Sequence, residues 1–462
     1  MRPVKRIVKR VIWAVVVTPV VLYVLFYTGL YVGLRWGFTP LPKPPSGVRL
    51  EPLKPLLARN DLKPDNGAYY YMKAAELLLS YKQSDDSRDQ MEALLANDTS
   101  GDAKEIRQTL TDCREALDLV RNGSQMSLCQ MPWLEPSTIS TSLLKSMRQL
   151  GRLLIADGKL AEQAGDFNRA IADYLVVVKL GRDCTAGGTL IMSLVGAAIT
   201  ELGTQAARTW VLRNATSPGA LQIIMEKLGR INSELIPYAE TLRYELEGAK
   251  KWIERDMLNQ MKPTDRKVLS KREMFTYLDA AYGDYIQDAA KPVWESDPKA
   301  IEDKWGMKHA HRWLWTLNRP APRIFIGMVL PALERPRGGV IRVQLGMEVT
   351  MVVCALRAYT LTNGHPPEQL SELVPGLVPA IPIDPYDGKP LRYRREGEGW
   401  VVWSVGSDRK DDNAQWHEFK YRAPKDNRVG GDIYFKSTEP EDDLAFYKAG
   451  LVRSNSASTS TQ

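Results

Sequence analysis

Val11 to Leu34, a run of 24 residues without a charge, limits what this chain can fold into more than any other stretch. Wound as a helix at 1.5 Å per residue, it reaches about 36 Å, enough to cross a hydrocarbon core of about 30 Å with some tilt. Arg2, Lys5, Arg6, Lys9 and Arg10 stand before it. Positive residues stay on the cytoplasmic side, so the pattern predicts a single-pass anchor with its N-terminus in the cytoplasm and residues 36–462 outside. A cleaved signal peptide has a shorter apolar core of about 7 to 15 residues and a small-residue cleavage site. Here Arg35-Trp36-Gly37-Phe38 follows instead, and Pro19 is compatible with a membrane helix. The charge distribution carries a second consequence. The chain has a net charge of +7, five of it in the first ten residues, which leaves +2 for the rest and no basic footprint for nucleic acid.

Beyond the anchor, the pattern divides the chain into segments. Residues 35–65 are proline-rich and read as a semi-rigid spacer. Residues 66–257 read as a helical-hairpin array. Its first helix begins at Asn66 with Tyr71, Ala75, Leu78 and Leu79 on one face, and Cys113 shares an apolar stripe with Ile106, Leu110, Leu117 and Val120. Leu143, Met147, Leu150, Leu153 and Leu154 mark one helix. After a break at Gly165-Asp166, Ala170, Tyr174, Val177, Val178 and Leu180 mark the next, a pair similar to a tetratricopeptide-type hairpin. Small residues in Thr189–Trp210, among them Gly196 and Gly203, predict close helix packing, and Leu221–Met257 reads as one long amphipathic helix.

Residues 258–337 are rich in aromatics, including Tyr277, Tyr282, Tyr285, Trp294, Trp305, Trp313 and Trp315, which form either an exposed binding surface or the filling of a seam. Within them, the apolar run Arg323–Leu333 is too short to span a bilayer and lies either on the array or on the membrane surface. Residues 338–437 form a module with a helix over Val343–Tyr359, stopped by Asn363-Gly364, and a short helix over Gln369, Leu370 and Leu373. A turn at Asp384-Pro385-Tyr386-Asp387-Gly388 leads into a hairpin of Pro390–Arg395 and Trp400–Val405. Residues 438–462 read as a tail. The fold class expected is mainly α: a transmembrane helix, a helical-hairpin array, then an α+β module with a small antiparallel sheet.

Tyr359, Asn363-Gly364, Pro366, Leu370, Leu373-Val374, Asp384-Pro385, Gly388-Lys389-Pro390, Tyr393-Arg394, Ser404, Gly406, Asp408 and Asp411-Asp412 occur in an order and spacing that resembles the globular half of type II secretion major pseudopilins. The resemblance covers about the last quarter of the chain and implies a fold module, not an activity. It also implies a calcium site at Asp408, Asp411, Asp412 and Asp432, because carboxylates in a flexible loop suit Ca²⁺; a solvated acidic turn is the alternative. Arg409 stands where that family has Gly, and residues 414–429 are inserted before Asp432. Gly37-Phe38-Thr39 looks like the processing site of such proteins. Here, however, the apolar helix precedes it and a proline run follows, so no cut is expected. The whole arrangement resembles membrane-anchored proteins of planctomycete-type bacteria, which implies a bacterial inner-membrane location and brings no reaction with it.

No phosphate-binding glycine loop, nucleophile elbow or H-E-x-x-H pair occurs. His309 and His311, two apart, point to different sides of a helix. With four cysteines the fold does not rest on a disulfide framework; Cys113 and Cys129 are either a pair or separate thiols. The absence of a catalytic constellation implies a binding or scaffolding protein with the bilayer and a protein partner as contacts, the latter through the array or the aromatic-rich region. Two alternatives remain: a part of a secretion pseudopilus, or a hydrolase working through Glu240, Glu245 and Glu247 of one helix.

Overall fold

The computed structural model describes residues 57, 59–96, 103–132, 141–186, 189–257, 259, 271–305, 331–414 and 433–436. The expected anchor, the spacer up to residue 56, Trp313, Trp315, His309, His311 and Asp432 lie outside them. The described chain is mainly helical and closes on a small antiparallel sheet. Its helices are α1 (Gly67–Ser80), α2 (Asp85–Leu95), α3 (Lys104–Asp112), α4 (Arg114–Ser124), α5 (Thr141–Gln163), α6 (Phe167–Cys184), α7 (Leu190–Asn214), α8 (Pro218–Ser233), α9 (Tyr238–Trp252), α10 (Lys271–Ala289), α11 (Pro298–Trp305) and α12 (Pro331–Asn363). Strands β1 (Arg392–Glu396), β2 (Gly399–Ser404) and β3 (Ile433–Lys436) pair in that order. Two compact units result; one holds the described residues of Leu246–Asp288 and Asp297–Arg335, and the larger one holds the rest.

Local chemistry sets the helix boundaries. The Asn66 side chain accepts from the Ala68 amide and so satisfies a donor that the first turn of α1 leaves open. Tyr71, Ala75 and Leu78 are buried as their spacing predicts, whereas Leu79 faces out. The stripe through Cys113 is also buried, but on two helices, because the chain breaks at Cys113 itself. Between α5 and α6, Gly165 takes φ +80 and the Asp166 side chain caps α6, as expected from Gly-Asp. The single helix expected over Leu221–Met257 is instead two, α8 and α9. Pro237 has no N–H and restricts Ile236, so the helix ends before it although the apolar spacing carries on.

Glycine brings α6 and α7 together. A Cβ on Gly196 would lie 2.5 Å from the Gly181 carbonyl oxygen, and one on Gly203 would lie 2.7 Å from the Val178 amide nitrogen. Such backbone-to-backbone approach is possible only without side chains at those points.

In the larger unit, α12 lies along α7 and joins the array's core. Gly346 faces Glu201 and Thr204, the Arg208 guanidinium donates to Thr350 Oγ1 at 3.1 Å, and Arg357 donates to the Ala215 carbonyl at 3.2 Å. Val349, Val352, Val353 and Leu356 on that face are fully buried. Both α7 and residues Pro336–Asn363 of α12 are long and apolar enough to cross a membrane, yet 61% of the apolar window of each is buried inside the protein, as in a core helix.

Gly364 at φ +79 ends α12, and the Gln369–Glu372 capping box starts the short helical turn Leu370–Leu373. The hairpin follows with Glu396 opposite Gly399, which narrows the connection to Gly397-Glu398; Gly397 has φ +62. A third strand, Ile433–Lys436, was not foreseen; it pairs with Val401–Ser404.

In the smaller unit, α10 buries Tyr277, Tyr282 and Tyr285. Tyr277 meets Trp305 edge to face at 6.4 Å, and Asp284 accepts from Lys304 and the Trp305 indole, each at 2.6 Å. The three tyrosine rings fill the unit, and Trp305 is half-buried against them. Trp294, in the larger unit, lies on Gly388: a Cβ there would come within 2.9 Å of the ring.

Candidate functional site

The acidic segment of the module is built around an arginine. Asp384, fully buried, accepts from the Tyr386 amide at 3.0 Å, the Ser404 hydroxyl at 2.9 Å, the Val405 amide at 2.8 Å and Arg392 Nη1 at 2.8 Å. Arg392 also donates to both oxygens of Asp387, and its Nε lies 3.5 Å from Asp411 Oδ2. One guanidinium thus sits among three carboxylates. Its hydrogen bonds hold the Asp387 carboxyl below the ordinary range. For Asp411, burial pushes the carboxyl up, but the Trp403 indole N–H at 3.0 Å, the Asn413 amide and Arg392 together bring it below its ordinary value.

The residues expected to hold calcium are placed as follows. Asp411 is committed to Trp403, Asn413 and Arg392; Asp408 Oδ1 accepts from the Lys410 amide at 3.1 Å in a local turn; Asp412 is half-exposed. Among the described residues, no group of three or more carboxylate, histidine or cysteine side chains is placed to hold a metal ion. Arg409, in place of the resemblance's Gly, does adopt φ +60, and its guanidinium donates to the Val293 and Trp294 carbonyls rather than to the acidic residues.

Glu240, Glu245 and Glu247 do not assemble either. Glu240 pairs with Arg243 and Glu247 with Lys250. Glu245 is half-buried and accepts from the Leu190 amide at 3.0 Å, where the positive end of α7 favours a carboxylate. Burial pushes its carboxyl up. Within the array, Arg121 binds Asp118 (2.8 Å), Asp157 (2.6 Å) and Asp173 (2.8 Å); Asp183 takes Tyr71 (2.8 Å), Lys179 (2.7 Å) and Arg182. All four cysteines are free thiols. Cys113 lies at the α3–α4 junction, and Cys129 lies beside Asp183 and Cys184 near the end of α6.

A cleft of about 300 Å³ opens between the end of α1, the Tyr81–Gln83 link, α3 and the first turns of α5. Tyr81 donates to Thr109 at 3.1 Å, the Ser87 and Thr109 hydroxyls lie 2.6 Å apart, Gln83 donates to Ser87 at 3.1 Å and Gln149 donates to Gln83 at 2.7 Å. That chain of hydrogen bonds makes a stiff polar floor. Leu78, Leu79 and Leu153 supply the apolar wall, and Ser142, Lys145, Ser146 and Gln149 line one face of α5 at helical spacing. The sequence reading missed this cleft, because its lining comes from segments far apart in the chain. A Ser/Lys/Gln stripe beside a leucine stripe on α5 was the only signal.

No family model, curated protein or solved structure matches this chain.

Proposed function

We propose that the protein is a membrane-anchored binding or scaffolding module, held outside the cytoplasm by Val11 to Leu34 and engaging its partner through a tetratricopeptide-like helical-hairpin array. The observation that carries this reading is the fate of the carboxylates. Glu240, Glu245 and Glu247 are taken up by Arg243, a helix N-terminus and Lys250, and Asp384, Asp387 and Asp411 by Arg392. A hydrolase working through these carboxylates would need them free to face a substrate, and they face structural partners instead. The α12 helix packs one face against α7 in its own core, which supports a scaffold over a pseudopilus subunit. Assay of the full-length protein against generic ester, glycoside and phosphate substrates tests the reading. Turnover no greater than buffer is expected. Robust turnover abolished by Glu245→Gln would overturn it in favour of a hydrolase.

A further inference from the structure

Hydrogen bonds pin the backbone on both sides of Cys129. The Gly67 amide donates to the Leu128 carbonyl at 2.9 Å, and the Asn66 side chain donates to the Gln130 carbonyl at 3.0 Å and accepts from the Gln130 amide at 3.1 Å. These bonds fix the segment to the start of α1. The next residue, Met131, donates its amide to the Ala186 carbonyl at 2.7 Å, two places beyond Cys184 at the end of α6. From α1, the Tyr71 hydroxyl reaches Asp183, the neighbour of Cys184, at 2.8 Å. Cys129 and Cys184 thereby join one cluster with Tyr71 and Asp183, close enough to act on each other electrostatically. Cys184 is fully buried, and Cys129 is partly buried against the same core.

We propose that Cys129 and Cys184 are joined as a disulfide that staples the segment after α4 to the end of α6. The bond rests on the extracytoplasmic placement proposed above, since disulfides persist in oxidising compartments. It forms by exchange with a small-molecule disulfide such as oxidised glutathione. The thiolate of Cys129, the less buried of the two, attacks one glutathione sulfur and expels a glutathione thiolate; the Cys184 thiolate then attacks the Cys129 sulfur and expels the second. Two protein thiols are oxidised, one glutathione disulfide is reduced to two thiols, and the two protons pass to the departing thiolates. Burial pushes both cysteine thiols up, which slows exchange in the folded protein and makes both sulfurs poor leaving groups once bonded. The loop so closed contains α5 and all of α6, so the bond removes freedom from the unfolded form of the tetratricopeptide-like hairpin.

The test is peptide mapping of the full-length protein in lipid nanodiscs. The protein is equilibrated with a series of reduced-to-oxidised glutathione ratios, with a disulfide isomerase as catalyst, then quenched in acid and alkylated in denaturant. Purified protein is used, so the result does not depend on which side of a membrane residues 36–462 occupy. The expected product is a chain lighter by two hydrogens, with Cys129 and Cys184 in one linked peptide pair that persists at about a tenfold excess of reduced over oxidised glutathione, and with Cys113 and Cys354 alkylated. The oxidised protein should melt a few degrees above the reduced one, and Cys129→Ser, the less buried substitution, should remove that difference. Four alkylated thiols at every ratio, glutathione retained on Cys129 without closure, or a bond from Cys129 to Cys113 would overturn the proposal. Substrate turnover is read separately, so any of those results leaves the non-catalytic reading standing.

Discussion

Arg392 carries the most consequence of any single side chain described. With three carboxylates around it and Asp384 fully buried, its removal leaves an uncompensated buried charge, which costs about 3–5 kcal/mol. Arg392→Gln is therefore expected to lower the melting temperature strongly, and millimolar Ca²⁺ should raise the variant's melting temperature more than the wild type's, by screening the exposed repulsion. An equal calcium response in both proteins would contradict the role given to the guanidinium. The pH dependence follows from the same geometry. Asp387 and Asp411 have lowered folded values, so they contribute stability above about pH 4, lost as pH falls through those lowered values. Melting curves between pH 7 and 3 should show that acid-side loss in the wild type and much less of it in Arg392→Gln. Little of this was legible beforehand. Asp384 and Gly388 were recognisable as a turn by their types, but no spacing marked Arg392 as the counter-charge of the acidic loop. The sheet register instead sets Arg392 opposite Trp403, whose indole holds Asp411.

Helix ends written in local chemistry were readable, and ends set by tertiary demands were not. Asn66, Gly165-Asp166 and Asn363-Gly364 all act where their types say they should. The α8–α9 break was missed because Ile224, Leu228, Ile231, Leu242 and Leu246 keep a helical rhythm across Pro237, and rhythm was given more weight than the proline. Strand β3 was missed because its partner lies beyond an insertion, and pairing across such a gap leaves no local signature. The small residues of α7 were read correctly as packing devices, and they support a graded prediction. Gly203→Ala places a methyl against backbone atoms of α6 and is expected to cost about 1–3 kcal/mol or more. Gly165→Ala meets no atom within 4 Å and suffers only its positive φ, about 1 kcal/mol. Denaturant melts of both variants check the order, and a larger loss from Gly165→Ala would mean that α6 and α7 are not in close contact.

At the scale of the molecule, α12 is the element that joins the module to the array, since Arg357, Thr350 and Gly346 seat it along α7. Composition and spacing foretold a helix at that place and an α+β end after it, but not that the helix would complete the array's core. Contacts of more than a hundred residues' separation, such as Arg208 to Thr350, are invisible to a periodicity argument. In the proposed reading the tether makes a binding module of these parts, whereas a pilus subunit would be processed by a cut after Gly37. The measurement that bears most directly on this is the intact mass of the protein extracted from membranes. The account predicts the uncut chain of 52.0 kDa, with residues 1–37 retained; a mature protein beginning at Phe38 would contradict it.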